Sequence, residues 1–367
     1  MKITVKDIVS NLESFAPVEY AELYDNVGLM TGSLYHTVTN ILITLDLTEE
    51  VLIESINKRC NLIISFHPVI FKPIKNITGK TLYEKILIYA IKNDISIYVI
   101  HTNLDSIWNG SVSHIFQLLG IKKEKVLIPK KGYIQKLNTY VPMKYAEKVR
   151  KALFKAGAGN ISNYSHCSFN FDGIGSYMGN AVSNPSFGYK KVFHMEKETC
   201  IGVIFPSHKL NMIKQALFQS HPYEEIAYEI YNIENIHPYL GLGLIGTLDK
   251  EMNENDFLLF IKEKMDLPFI RHSPFLKKKI NRISIITGSG RFGIDHAIKE
   301  NTHSFISSDL KYHDFFRSEN KILILDIGHY ESEKFNKKLI KMFLKKHFDS
   351  ILIHESKINT NPVKYFF

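Results

Sequence analysis

Two residues near the C-terminal end of the chain, His329 and Glu333, have the types and the spacing of a metal-binding pair. They follow an apolar run at 322–325, which is typical of a buried strand, and a turn that contains Gly328. Residues four apart share one face of a helix, so a helix that begins near Tyr330 would bring the imidazole and the carboxylate together. The same spacing also fits a solvated pair on a surface helix, and the pair alone leaves both interpretations open.

Two other apolar runs end in the same way. His67 directly follows the run at 62–66, and His101 directly follows the run at 95–100, with Asp105 four residues later. Because open α/β sheets bind ligands outside the carboxyl ends of their strands, we expect these side chains to share one edge of a sheet. A mixed set of imidazoles and carboxylates suits Zn, Fe, Mn, Co or Ni better than Mg or Ca. The matched placements favour a divalent-metal site over unrelated structural histidines.

The order of strands and helices predicts the elements that hold these residues. Residues 40–101 alternate strand and helix, and 279–328 repeat the alternation, which indicates parallel sheets covered on both faces. Between them, residues 131–236 follow a strand–helix–strand–strand–helix–strand order, typical of a ferredoxin-like α+β unit. The predicted fold is therefore α/β, with two similar lobes at 1–130 and 237–367 and an inserted α+β domain.

A glycine-rich turn competes with the metal site as the centre of the chemistry. Gly288, Gly290 and Gly293 spell G-x-G-x-x-G between a predicted strand and a predicted helix, and Asp309 stands where a ribose-binding acid would lie. This pattern would suit a nucleotide-binding enzyme, but no second nucleotide-binding half follows. A tight turn that needs glycine for backbone reasons is an alternative. A third interpretation makes Gly288 and Gly290 substrate-binding residues whose amides face a phosphate beside the metals.

Composition limits the class of protein and its compartment. The net charge of +9 makes nucleic acid a possible partner, but the lysines are spread along the chain without a basic tail or an arginine cluster. A genome-wide codon bias explains that excess more simply. The three cysteines are scattered without a C-x-x-C motif, which fits a reducing cytosol. No stretch has the roughly 20 apolar residues of a membrane span, so we expect a cytoplasmic protein with no membrane partner.

Several sequence blocks together resemble one known family. The blocks are DNVGLMTG at 25–32, HP at 67–68, HTNLD at 101–105, TGSG at 287–290, SSDLKYHD at 307–314, GHYESE at 328–333 and TNPVKYF at 360–366. They resemble the GTP cyclohydrolase 1 type 2 homologue family, also called Ngg-interacting-factor-three-like proteins, over essentially the whole chain. The middle block, with GAG at 157–159 and HPYEE at 221–225, resembles the PII-like domain inserted in long members of that family.

The resemblance implies roles for the metal-binding residues. His67 and Asp105 would hold a first metal ion, His329 would hold a second, and Glu333 would bridge both. The family has two adjacent histidines after the first strand, and Phe66 stands at the first of these positions. Because phenylalanine offers no ligand atom, the second ion would lose a ligand and bind weakly.

The remaining polar residues of the matched blocks are candidates for supporting or catalytic roles. His101 could replace the missing ligand or act in catalysis. Asp309 and His313 are further candidates for catalysis. Candidates for contacts with the metal ligands or the substrate are Asp25, Asp46, Asp309 and His313. For each of these four, a helix cap or an ordinary surface group is the alternative interpretation.

The resemblance implies a metal-dependent hydrolase, because two bound ions can lower the pKa of a bridging water. The substrate would be a small molecule, either a nucleotide or another phosphoester. A homohexamer whose metal sites face an internal cavity is also implied by the family. A non-enzymatic metal-dependent assembly, regulatory or metal-handling protein is the alternative function.

Overall fold

The chain folds into two compact units. The computed structural model describes residues 2–366. The first unit combines the residues up to Pro129 with those from Tyr239 onward, and the second unit is Lys130–Pro238. The predicted α/β class is confirmed, since several sheets are combined with helices. The division into three domains, at 1–130, 131–236 and 237–367, stays a prediction.

The helices and strands are numbered in chain order. The helices are α1 (Val5–Phe15), α2 (Glu49–Asn57), α3 (Leu82–Lys92), α4 (Thr102–Asp105), α5 (Ser111–Leu119), α6 (Ala146–Lys155), α7 (Leu210–Ser220), α8 (Glu254–Lys264), α9 (Ile294–Lys299), α10 (His329–Glu333) and α11 (Asn336–Lys345). The strands are β1 (Gly28–Thr31), β2 (Asn40–Thr44), β3 (Leu62–Ser65), β4 (Ser96–Val99), β5 (Ile121–Pro129), β6 (Ile134–Pro142), β7 (Phe169–Met178), β8 (Phe193–Pro206), β9 (Tyr228–Ile233), β10 (Gly241–Asn253), β11 (Arg271–His272), β12 (Lys279–Ser289), β13 (Ser304–Ser308), β14 (Leu323–Asp326) and β15 (Leu352–Glu355). Across residues 2–366, no helix is long and apolar enough to cross a membrane.

The first sheet has the strand order β1–β4–β3–β2–β15. Strands β15, β2, β3 and β4 run parallel, and β1 pairs antiparallel to β4 at the edge. Strand β3 is buried at every residue because its two faces enter different cores. Ile64 packs in a cluster with α1 and α11, and Ile63 packs against α2 and α3. The continuous apolar run therefore reflects a sheet covered on both faces.

The second sheet has the order β11–β14–β13–β12–β10–β5. Its centre, β12–β13–β14, is parallel, and the outer strands β11, β10 and β5 are antiparallel. Neighbouring residues again enter different cores, with Ile306 in the cluster below α5 and α8 and Phe305 in the cluster below α9. Both sheets are therefore mixed, whereas the sequence predicted parallel sheets alone.

The two sheets of the first unit exchange strands. Strand β15 comes from the C-terminal segment but pairs with β2 of the first sheet, with Ile353 opposite Ile41. Strand β5 lies in the predicted N-terminal lobe but pairs with β10 of the second sheet. This exchange places the two ends of the chain in one compact unit.

The second unit is a four-stranded antiparallel sheet with two helices. Its strand order is β7–β8–β6–β9, and its elements follow the chain order strand, helix, strand, strand, helix, strand. Helices α6 and α7 cover one face through a core that includes Leu137, Val149, Ile201 and Ile213. The assignment of this unit to the PII-like class stays a prediction.

Candidate metal centre

His67, His329 and Glu333 converge on one point in the first unit. One ligand atom from each lies within 4.8 Å of the other two. The Nε2 atom of His67 lies 3.0 Å from Glu333 Oε2, and the Nε2 atom of His329 lies 3.2 Å from the same oxygen. Among residues 2–366, no other group of three or more histidine, cysteine or acidic residues converges in this way.

The local backbone fixes each of these side chains. His67 follows β3 by two residues; its N–H donates to the Leu45 carbonyl at 2.8 Å, and its own carbonyl accepts from the Ser65 hydroxyl at 2.7 Å. Gly328 has a φ of +89°, which turns the chain from β14 into α10 at His329. Glu333 ends α10, so the predicted spacing of four residues places it on the same helix face as His329.

Each imidazole is oriented by an aspartate. Asp46 Oδ1 lies 2.9 Å from His67 Nδ1, and Asp309 Oδ2 lies 2.7 Å from His329 Nδ1. Each Nδ1–H therefore donates to a carboxylate, which leaves Nε2 as the nitrogen that can ligate a metal ion. The other oxygen of Asp46 accepts from the Thr360 hydroxyl at 2.6 Å, which ties the site to the closing TNPVKYF block.

Glu333 is a buried carboxylate that lacks a well-aligned hydrogen bond on one oxygen. Only 2% of the residue is exposed, and Oε2 accepts no hydrogen bond although both Nε2 atoms are near. Burial raises the pKa of this carboxyl, but the contacts with His329 and His67 outweigh burial and hold the pKa at about 2. An ionised oxygen between two imidazole nitrogens is a donor set that fits a divalent cation.

The carboxylates around the two imidazoles favour the doubly protonated, positively charged form of each in the metal-free protein. Burial lowers the pKa of each imidazole, but the flanking carboxylates outweigh burial and raise the pKa of His67 to about 10 and of His329 to about 11. A metal ion needs the unprotonated nitrogen, so an ion that binds here would displace two protons.

Asp105 lies beside this group but is not one of the three converging residues. Its Oδ1 accepts from the Thr287 hydroxyl at 3.2 Å. Burial, and then the charge of Glu333, raise the pKa of Asp105 to about 6. The predicted role of Asp105 as a metal ligand stays a prediction.

His101 and Asp25 form a neighbouring pair. His101 precedes α4, and its Nδ1 lies 2.9 Å from Asp25 Oδ1. Asp25 Oδ2 also accepts from the N–H of Thr102 at 3.1 Å. Burial raises the pKa of Asp25, but the bonds from His101 and Thr102 outweigh burial and lower the pKa to about 2. Since the ring centroids of His67 and His101 are 5.1 Å apart, His101 lies at the edge of the centre.

Phe66 is part of the core and not of the polar group. The residue is fully buried in the cluster with α1 and α11. Its ring makes edge contacts with His67 and His101, at centroid distances of 5.1 and 5.2 Å. The weak second ion stays a prediction.

The glycine-rich turn has a structural role in the centre. Gly288 has a φ of +62°, and a Cβ atom there would lie 2.4 Å from Glu333 Oε1. A Cβ atom at Gly290 would lie 2.1 Å from Ser307 Oγ. The N–H of Gly288 donates to Ser332 Oγ at 2.9 Å, so this amide is not open to a phosphate in the structure. Close packing therefore accounts for these glycines without a nucleotide, and their substrate-binding role stays a prediction.

The two other catalytic candidates, Asp309 and His313, differ in their distance from the centre. Asp309 orients His329, as described above. His313 is exposed on a 3₁₀ helix, Tyr312–Ser318, with its ring at a centroid distance of 5.1 Å from that of Tyr312. It does not belong to the converging group, so its catalytic role stays a prediction.

Sequence reasoning missed three residues that support the centre. Ser332 accepts from the Gly288 amide, Thr287 donates to Asp105, and Thr360 donates to Asp46. All three lie inside blocks that carried the family resemblance, at 328–333, 287–290 and 360–366. Membership in those blocks was the available signal, but the partners depend on tertiary contacts.

A cavity of about 540 Å³ opens beside the converging residues. His67, His329 and Asp309 form one side of it. The other walls include Arg271, Phe269 and Tyr365, and the last two rings are 4.5 Å apart between centroids. The side chain of Arg271 is half exposed and lies 3.1 Å from Asp326 Oδ2. The cavity combines the Arg271–Asp326 ion pair and an aromatic wall with the residues of the centre.

The fold and the centre define a mixed α/β protein with a histidine–carboxylate group at the carboxyl ends of its parallel strands. Residues 3–362 match the family described as Duf34/NIF3 (NGG1p interacting factor 3). The chain belongs to this family, and the predicted relationship is confirmed.

Relatives match the chain over nearly its full length. The GTP cyclohydrolase 1 type 2 homolog of Bacillus subtilis is 34% identical over 98% of both chains. The protein of the same description from Halalkalibacterium halodurans is 33% identical, again over 98% of both chains. A solved structure described as a Bacillus cereus protein related to NIF3 has a TM-score of 0.86 and 33% identity, and each chain is covered completely. A Staphylococcus aureus structure has a TM-score of 0.79 and 29% identity, with 100% of this chain and 99% of the other covered.

Proposed function

We propose that this protein binds divalent metal ions and acts as a metal-dependent hydrolase on a nucleotide or another phosphoester. One observation carries the proposal. The imidazoles of His67 and His329 each contact an aspartate through Nδ1, and both direct Nε2 at the same buried oxygen of Glu333. His67, His329 and Glu333 would hold the ion, and Asp105 would add a further carboxylate. An ion held there would supply the activation of water for hydrolysis, because a divalent ion lowers the pKa of a water molecule that it binds.

The residues around the centre have separate roles in this proposal. Asp46 and Asp309 keep the Nδ1 protons in place and so present Nε2 to the ion. Arg271 lines the cavity, and its guanidinium, which pairs with Asp326, would also contact an anionic group of the substrate. Phe269 and Tyr365 offer an apolar wall for a planar ring.

Metal analysis tests the first half of the proposal. Protein purified without chelators should contain Zn, Fe, Mn, Co or Ni, and Glu333→Ala should lose most of it. Glu355→Ala is the matched control, because Glu355, at the end of β15, pairs with Lys341 of α11 and does not belong to the centre. Equal metal content in both variants would contradict the proposed ligand set.

A substrate panel tests the second half. The metal-loaded protein should hydrolyse at least one nucleotide or phosphoester, and Glu333→Ala should abolish the reaction. Metal binding without any turnover would favour the non-enzymatic alternative, in which the ion supports assembly, regulation or metal handling.

Two further features of the family belong to this proposal. Residues 131–236 would form a PII-like domain, and the chain would assemble as a homohexamer with its centres facing an internal cavity. Analytical ultracentrifugation of the metal-loaded protein tests the assembly, and a single species with the mass of one chain would contradict it.

A further inference from the structure

The second unit contains a cavity of about 650 Å³ with an unusual balance of charge. The whole chain has a net charge of +9, but no lysine, arginine or histidine within residues 2–366 lines this cavity. Three glutamates do line it, Glu198, Glu224 and Glu225. The cavity is therefore a negative pocket in a positive protein.

Glu198 is the carboxylate at the buried side of this pocket. Only 8% of the residue is exposed. Its Oε1 accepts from the Tyr223 hydroxyl at 2.7 Å, and in the described part of the chain no cationic side chain forms an ion pair with it. A carboxylate that is removed from water without a cation is unfavourable, so a positive ligand would stabilise this arrangement.

The neighbouring histidine does not supply the missing charge. His221 Nε2–H donates to the Tyr140 carbonyl at 3.0 Å, and Nδ1 accepts from the N–H of Tyr223 at 3.1 Å. Because Nδ1 is an acceptor, this imidazole is neutral, and burial lowers its pKa. His221 is therefore engaged on both nitrogens and neither neutralises Glu198 nor ligates a metal ion in this structure.

Gly175 leaves room for the carboxylate. A Cβ atom at this position of β7 would lie 2.2 Å from Glu198 Oε2. Any larger residue would push the carboxylate away, so the glycine keeps the second oxygen of Glu198 beside the pocket. That oxygen can accept hydrogen bonds from an ammonium group.

The walls of the pocket favour an organic cation over a bare metal ion. Phe171, Ile174 and Met178 of β7 supply apolar surface, and Tyr140 and Tyr177 supply aromatic rings. Apolar walls cannot replace the water around a divalent ion, which needs several oxygen ligands. They can instead cover the hydrocarbon part of a ligand, while aromatic faces attract its cationic end.

We propose that this pocket binds a small primary amine with an aromatic or aliphatic body, whose ammonium group pairs with Glu198. The site lies wholly within the second unit and does not depend on the proposed hydrolase activity.

Calorimetry on the full-length protein in the presence of EDTA tests the proposal. Phenethylamine is the cationic probe, and phenethyl alcohol and phenylacetate are its neutral and anionic counterparts of similar shape. We expect the amine to bind at least about tenfold more tightly than either counterpart. Equal affinity of amine and alcohol, or no binding of the amine at up to about 10 mM, would overturn the proposal.

Two matched variants assign the effect to the pocket. Glu198→Gln keeps the shape but removes the charge, and should weaken amine binding about tenfold or more. Glu196→Gln is the control, because Glu196 lies on the same strand but pairs with His194 outside the pocket lining. An unchanged affinity in Glu198→Gln would overturn the proposal. If that variant does not fold, the affinities of the three probes for the unchanged protein still decide whether the pocket selects a cationic ligand.

The same samples test whether a second copy of the chain occupies the pocket. If a second copy of the chain filled the pocket, amine affinity would fall as the protein concentration rises and the sedimenting species grows. A constant affinity across that range supports a free small-molecule site, and a concentration-dependent loss of affinity overturns it.

Discussion

Gly288 and Glu333 approach so closely that a Cβ atom on residue 288 would lie 2.4 Å from Glu333 Oε1. The glycine-rich turn after β12 therefore makes space for the carboxylate that both Nε2 atoms face. This contact links the two motifs that compete as centres of chemistry in the sequence.

Replacing Gly288 with alanine should disrupt the centre. The φ of +62° is unfavourable for alanine, and the new methyl group would displace Glu333. We expect a loss of about 1–3 kcal/mol in the free energy of unfolding and loss of most bound metal. Elemental analysis and denaturant unfolding measure the two effects.

Gly120→Ala is the control for backbone strain. Gly120 has a similar φ of +65°, but no atom lies within 4 Å of the Cβ position. This variant should lose about 1 kcal/mol of stability and keep its metal. Equal metal loss in both variants would mean that strain, and not the contact with Glu333, controls the centre.

Removing the charge of an aspartate that accepts from an imidazole Nδ1–H should weaken metal binding. Asp46→Asn leaves the imidazole of His67 without its carboxylate partner, and Asp309→Asn does the same to His329. Each variant should bind metal about 10–100-fold more weakly. Competition with a fluorescent chelator measures the affinity, and Asp256→Asn on the exposed face of α8 serves as the unchanged control. Full affinity in both of the first two variants would contradict their orienting role.

Metal binding should release protons and should strengthen as the pH rises. In the metal-free protein the raised pKa values of His67 and His329 make a stabilising contribution that is complete below about pH 6.5 and is lost as the pH rises through about 10 and 11. A metal ion must displace those protons, so at about pH 8 we expect close to two protons released for each ion. Calorimetry in buffers with different ionisation enthalpies counts them.

Glu333→Gln provides the comparison for proton release. Without the Glu333 charge the two imidazoles lose part of the cause of their raised pKa values, so fewer protons should be released by the ion that still binds. Release of no protons by the unchanged protein at about pH 8 would show that the histidines are not the ligands.

The second unit should be removable. Pro129 pairs directly with Gly241 across β5 and β10, so the chain leaves and re-enters the first unit at neighbouring points. Replacing Lys130–Pro238 with a Gly/Ser linker of about four residues makes an ordinary hairpin connection. The shortened protein should remain soluble, unfold cooperatively and bind metal at the centre. An insoluble product without metal would contradict a separable second unit.

Phe66→His should tighten a second ion. An imidazole at this position adds a ligand atom beside His67 and His101, and each added ligand contributes to the affinity of a metal site. Calorimetric titration of the metal-free, unchanged protein should show one tightly bound ion and a weak or absent second ion. The same titration of Phe66→His should show a more tightly bound second ion. Affinity for the first ion should change little.

The burial of Phe66 requires its own control. The residue is fully buried, so a histidine there should also destabilise the fold. Phe66→Leu changes the packing without adding a ligand and should leave metal stoichiometry unchanged. Two equally tight ions in the unchanged protein would mean that another side chain, with His101 the first to test, replaces the missing ligand.

Local sequence patterns determined the elements and much of the centre. Apolar runs predicted β3, β4 and β14, and the residues after them predicted His67, His101 and His329 at the carboxyl ends. The spacing of four residues predicted that Glu333 shares a helix face with His329. These inferences succeed because strand ends and helix faces depend on neighbouring residues.

Tertiary structure alone decided which of these groups meet and how. Three features join residues that are far apart in the chain. They are the exchange of β5 and β15 between the two sheets, the aspartate beside each imidazole, and the approach of Gly288 to Glu333. Sheet order and register set such pairings, and the same local pattern is compatible with several orders. The sequence therefore determined which side chains stand at strand ends, and long-range packing decided that two Nε2 atoms face one buried carboxylate.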